Sequence, residues 1–130
     1  MQKLFLSLLL LLTLGGCAAK PPETNGYRCI SMQEAVQWMT RESDYIILDV
    51  RTQEEFAAGH IPNAICIPNE TIGSEAIPAL PDKAQLILVY CRSGNRSKQA
   101  ASKLAKIGYT NVVEFGGILD WPGEIVTEAP

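Results

Sequence analysis

The chain has 130 residues, of which 47% are hydrophobic and 19% charged, with a formal net charge of -3. That length holds one ordinary domain with a real core. The acidic balance excludes the broad basic surface that a nucleic-acid binder uses, so no nucleic-acid partner is expected.

In chain order, the first segment is MQKLFLSLLLLLTLGGC: a lysine at Lys3, an apolar run from Leu4 to Leu12, and small residues before Cys17. The run is too short to span a bilayer and has the layout of a secretory signal, assigned to residues 1–16. Leu14-Gly15-Gly16-Cys17 resembles the bacterial lipobox, which implies cleavage before Cys17 and lipidation of that cysteine, with plain secretion as the second reading. Ala18 follows the cysteine, which in the same resemblance permits outer-membrane sorting in a cell with two membranes. The expectation is an exported, membrane-anchored lipoprotein, on the periplasmic side of a Gram-negative envelope or otherwise at the cell surface. Residues 17–26, polar and carrying Pro21 and Pro22, read as a tether between lipid and domain.

The domain is expected over residues 27–127. After an extended piece around Arg28 to Ile30, Ser31-x-x-Glu34 forms a capping box and predicts a helix to about Arg41. Tyr45 to Val50, apolar except for Asp49, reads as a strand buried on both faces. Thr52-x-x-Glu55 repeats the capping signature, with Gly59 as a left-handed terminator. Ala64 to Ile67 predicts a short strand, residues 69–83 an irregular loop with one helical turn, and Gln85 to Tyr90 a strongly apolar strand. Ser97 to Ile107 predicts a helix capped by Ser97 and ended by Gly108, and Asn111 to Phe115 a last strand. Strands alternating with helices give an α/β fold: a mostly parallel five-stranded sheet with helices on both faces and chemistry at the carboxyl ends of its strands.

Of the four cysteines, Cys29, Cys66 and Cys91 fall in the domain, an odd number that leaves at least one thiol unpaired. Their spacing matches no zinc pattern and His60 is the single histidine, so no metal or other cofactor is expected. Cys91 ends an apolar strand and opens the loop Arg92, Ser93, Gly94, Asn95, Arg96, with a helix behind it. A positive φ at Gly94 would turn consecutive N–H groups inward as an anion nest. The helix terminus and two arginines add positive potential, which together favour a thiolate. The alternative, a small buried hydrophobe, does not need two guanidinium groups.

LDVRTQEEFAAGHIPNAICIP, then VYCRSGNRS, then FGGILDW together resemble a single-domain rhodanese over about residues 27–126. The resemblance implies a sulfurtransferase that moves sulfane sulfur from thiosulfate, polysulfide or a similar donor to cyanide or a thiol through a persulfide on Cys91. It implies that Arg92, Ser93, Gly94, Asn95, Arg96 and Ser97 surround the bound sulfur. A different class of reading is a sulfur-carrying or partner-binding module without turnover. Phosphatases related to this fold place five residues between cysteine and arginine; here four separate Cys91 from Arg96, a narrower nest. His60 and Asp49 read as scaffold, Glu55 as a partner of Arg51 one helical turn away. Gly116 and Gly117 read as pocket rim and Trp121 as either rim or plain core; the resemblance implies that Cys29 and Cys66 lie on strands too far apart to bridge, so both read as buried thiols.

Overall fold

The computed structural model describes residues 23–24 and 26–128. The expected signal peptide and the lipidation site Cys17 lie outside the described residues. The elements are β1 (Glu23–Thr24), β2 (Tyr27–Cys29), α1 (Met32–Arg41), β3 (Tyr45–Asp49), α2 (Gln53–Ala58), β4 (Ile65–Cys66), β5 (Leu86–Cys91), α3 (Asn95–Ile107) and β6 (Val112–Gly117). One-turn 3₁₀ helices follow at Asn69–Thr71 and Ile118–Asp120.

Five strands, in the order β2-β6-β5-β3-β4, pair parallel, which is the expected sheet. To its β2 edge the two residues of β1 add antiparallel through a turn at Gly26, a pairing not expected from the tether's polar composition. Two cores cover the two faces. Leu48, Ile87, Val89 and Cys91 point toward Ala100, Ala101 and Leu104 of α3. Ile47, Leu88, Tyr90, Val113 and Phe115 point the other way, toward Ala35 of α1 and Phe56 of α2. The period of two along each strand sorts neighbouring residues onto opposite faces, so Cys91 belongs to the α3 face and Tyr90 to the α1/α2 face.

Both capping boxes form, Ser31 with Glu34 and Thr52 with Glu55. Gly108 ends α3 in the left-handed conformation, φ 113°. Two expected helix termini differ. Gly59 has φ 161°, which is extended; its requirement is space, because a Cβ there would meet Ile125 Cγ2 at 2.9 Å. Ser97 is not a cap: α3 begins at Asn95 after Gly94, and Ser97 sits in its first turn with the hydroxyl turned into the protein.

Asp49, wholly buried at the end of β3, is met by Arg51. Arg51 donates from its backbone N–H to Oδ1 at 2.9 Å, from Nε to Oδ1 and Oδ2 at 3.0 and 3.1 Å, and from Nη2 to Oδ2 at 2.7 Å. Nη2 also reaches the Gly59 carbonyl at 2.7 Å, tying the end of α2 to the strand. Burial and hydrogen bonding to Asp49 push the Tyr90 hydroxyl up, keeping it neutral, and it accepts from the Ile61 N–H at 3.1 Å. His60 is scaffold, as expected: its Nδ1 lies 2.8 Å from the Phe56 carbonyl and its ring stacks on Phe56 at 3.7 Å. Tyr109 anchors the long loop before β5, donating to the Leu80 carbonyl at 2.8 Å and accepting from the Ile77 N–H at 3.0 Å.

Replacing Arg51 with alanine leaves the Asp49 carboxylate buried without its cation. Arg51→Ala is expected to destabilise the domain by about 3–5 kcal/mol, read as a lowered urea midpoint at neutral pH.

Candidate active site

β5 delivers Cys91 to the carboxyl edge of the sheet, and α3 starts four residues later. Gly94 makes the turn with φ 110°, a conformation that favours glycine, and its N–H donates to Cys91 Sγ at 3.0 Å. Ser97 Oγ stands 3.3 Å from the same sulfur. Cys91 is 1% exposed. Its thiol pKa is nevertheless lowered: burial opposes ionisation, but the Ser97 hydroxyl and the backbone amides of Ser97, Gly94 and Ser93 outweigh it. The site therefore provides a sulfur nucleophile favoured as its anion, with donors already aimed at it.

The loop residues divide by exposure. Gly94 and Ser97 are buried under the loop, whereas Arg92, Ser93 and Asn95 are exposed at its surface. Arg96 turns away from the sulfur to Glu55 of α2, with Nη1 2.6 Å from Oε1 and Nη2 3.0 Å from Oε2. This forked pair replaces the expected Arg51–Glu55 contact, because Arg51 is already committed to Asp49. The Arg96 guanidinium draws the Glu55 carboxyl down to about 2. Among the described residues Arg92 has no ion-pair partner. It lines a depression of about 320 Å³ beside the loop with Arg51, Glu55, Gly59, Ile118 and Leu119.

Gly116 and Gly117 form the floor of the loop. Between Val89 and Cys91 the β5–β6 register shifts, pairing Val89 with Glu114 but Cys91 with Gly117, and Gly116 takes up the extra length at φ 101°. A Cβ on Gly117 would run into the backbone of Arg92 and Ser93, so only glycine lets the loop lie on the strand. Trp121 is half-buried against the α1/α2 core, and its Nε1 donates to the Glu124 carbonyl at 3.0 Å.

Cys29 and Cys66 are free, half-buried rather than fully buried, and separated by β6, β5 and β3. Burial pushes the Cys66 thiol up to about 11. Sequence reasoning missed Glu114. Its carboxylate is 3% exposed on β6, with Oε1 2.6 Å from Ser97 Oγ and accepting from the Gly116 N–H at 2.9 Å. The available signal was a lone carboxylate inside the apolar run Asn111 to Phe115, the same signal that marks Asp49 as a buried group.

Residues 31–124 match the Rhodanese-like domain family. The chain belongs to that family. It is 38% identical to thiosulfate sulfurtransferase PspE of Escherichia coli strain K12 over 73 residues, covering 56% of this chain and 70% of that one. It is 34% identical to a sulfurtransferase of Allochromatium vinosum over 93 residues, covering 71% and 85%. A solved structure described as rhodanese with anions from E. coli superposes with a TM-score of 0.59 at 36% identity, covering 65% of this chain and 99% of that chain. Membership and these relatives support sulfurtransferase activity in the broad sense, with a sulfur donor and a thiol acceptor.

The Arg96–Glu55 pair is expected to stabilise the native fold fully above the ordinary carboxyl value of 4.5 and to lose that contribution as pH falls toward about 2. Glu55→Gln is therefore expected to lower stability by about 1 kcal/mol near neutrality after solvent screening. The gap to the parent protein should close in urea titrations carried toward pH 2.

Proposed function

We propose that the chain transfers sulfane sulfur from thiosulfate or a similar small donor, such as polysulfide, to a thiophilic acceptor by way of a persulfide on Cys91. The observation that carries this reading is the Cys91 sulfur held by the Gly94 amide and Ser97 hydroxyl, with its pKa lowered despite burial. The Cys91 thiolate attacks the outer sulfur of thiosulfate, a new S–S bond forms, and sulfite departs with the electron pair of the broken S–S bond. Attack by cyanide or a thiolate on the outer sulfur then gives thiocyanate or a new persulfide and returns Cys91 as thiolate. The lowered thiol pKa favours the attacking thiolate, and the leaving group is a stable anion.

In this mechanism the loop amides hold the sulfur, and Gly94 and Ser97 touch it directly. Arg92, exposed at the mouth, offers a charge to the incoming anion. Ser93 and Asn95 complete the turn, and Arg96 braces it against α2 through Glu55. We further propose export and anchoring through a lipid on Cys17, supported by the apolar run and the Leu14-Gly15-Gly16-Cys17 sequence.

Thiosulfate treatment of the reduced protein is expected to add one sulfur to the Cys91 peptide in mass spectra, and cyanide to remove it. Cys91→Ser is expected to abolish both the adduct and turnover; an unmodified Cys91 at saturating donor would exclude the mechanism. For the anchor, Cys17→Ala is expected to move the protein from the membrane to the soluble fraction, with loss of the acyl mass from the N-terminal peptide.

A further inference from the structure

Ser97 Oγ carries one hydrogen and stands 3.3 Å from Cys91 Sγ, 2.6 Å from Glu114 Oε1 and 2.9 Å from the Gly94 carbonyl, with the Gly116 carbonyl at 3.4 Å. A hydroxyl donates once and accepts twice. The short Ser97–Glu114 contact requires a hydrogen between the two oxygens. If that hydrogen is the serine's own, none remains for the sulfur, and Cys91 must be a thiol donating to Ser97. If Ser97 instead donates to a thiolate, the hydrogen on the short contact must belong to Glu114. These two arrangements are related by moving two protons in the same direction along one hydrogen-bonded line.

We propose that Ser97 relays the Cys91 proton to Glu114, so that the thiolate and the Glu114 carboxylic acid form together. The proton leaves Sγ for Ser97 Oγ, and the serine's proton passes to Glu114 Oε1. Nothing is oxidised or reduced, and the site carries one negative charge before and after. Glu114 is thereby a positioning residue that acts through Ser97.

The surroundings favour a single charge. Tyr27 and Cys29 face Glu114 from β2, and Cys29 is its direct partner in the β2–β6 register. The thiol of Cys29 is pushed up by burial and then by Glu114, so it remains neutral beside it. From α3 come Ser97 and, near Cys29, Lys98; from β5 comes Cys91. Arg96 lies close enough to Cys91 to sense its charge, but its guanidinium is bound to Glu55. Among the described residues no salt bridge reaches Glu114. Two anions on either side of one buried hydroxyl would lack a cation between them, and moving the proton inward leaves only one.

The inference rests on Cys91 as the reacting thiol, but its test needs no sulfur donor. The alkylation rate of Cys91 by iodoacetamide is followed against pH in the full chain, with peptide mass spectrometry separating Cys91 from Cys29 and Cys66. A coupled pair releases its protons in two macroscopic steps. The parent protein is expected to show two rises in rate with a plateau between them, and Glu114→Gln to lose the lower rise. One rise of the same form in both proteins would overturn the relay. Should Glu114→Gln fail to fold, infrared difference spectra of the parent protein decide: capping Cys91 is expected to remove a carboxylic-acid carbonyl band near neutral pH. No change in that band would equally overturn it. A protein inert to thiosulfate that keeps the two-step profile would retain the relay and lose the proposed function. A Cys91 persulfide with a one-step profile would do the reverse.

Discussion

The site is organised around one sulfur whose anion is favoured where water is nearly excluded. Burial alone drives a thiol toward its neutral form, and at Cys91 that penalty is the largest single influence. It is offset by groups fixed before any substrate arrives: the Gly94 amide, donating at 3.0 Å, the Ser97 hydroxyl in contact at 3.3 Å, and further amides of the loop. None of these groups is a flexible charged side chain. Their positions follow from the direction of β5, the left-handed turn at Gly94, and the start of α3, so the fold itself sets the chemistry of the sulfur.

That arrangement depends on close contacts that glycine alone permits. The loop can lie low over the sheet because Gly117 presents no Cβ to the backbone of Arg92 and Ser93. The register shift at Gly116 gives β6 the slack to put Gly117 opposite Cys91 while Glu114 remains opposite Val89. The same shift turns the Gly116 N–H onto the Glu114 carboxyl oxygen, so one irregularity both seats the loop and gives a buried polar group a partner. Asp49 is handled differently, with a forked arginine two residues away in sequence, and that pair links β3 to the end of α2 on the opposite face.

Much of this is legible in the sequence. The apolar runs place β3 and β5, the two capping boxes place α1 and α2, and the cysteine-glycine loop between strand and helix marks the turn that surrounds Cys91. What was hidden depends on which partner wins when several are within reach. Arg51 and Glu55 have helical spacing, but a wholly buried carboxylate at Asp49 holds the arginine more strongly than a half-exposed one. Glu55 then pairs with Arg96, forty-one positions away, a contact no local spacing announces. Ser97 has a residue type that favours capping, yet the glycine turn starts the helix two residues earlier and points its hydroxyl inward. Glu114 was overlooked because strand periodicity alone does not say whether a polar residue meets solvent or the underside of a helix.

The fate of Arg96 bears on how the loop would recognise its ligand. A guanidinium aimed into the nest would suit a ligand with several oxygens arranged for forked hydrogen bonds. Here that fork is occupied by Glu55, and the groups left facing the sulfur are amides and a hydroxyl, which grip a single compact anion without demanding a particular array of oxygens. In the proposed transfer the exposed Arg92 would contribute charge at the mouth instead, drawing an anion inward without competing for the atom being transferred. Under that proposal, separating attraction at the rim from grip at the base would let the loop tolerate donors that differ away from the reacting sulfur. Selectivity then falls to the rim, where Ile118 and Leu119 line the adjoining depression alongside Arg92.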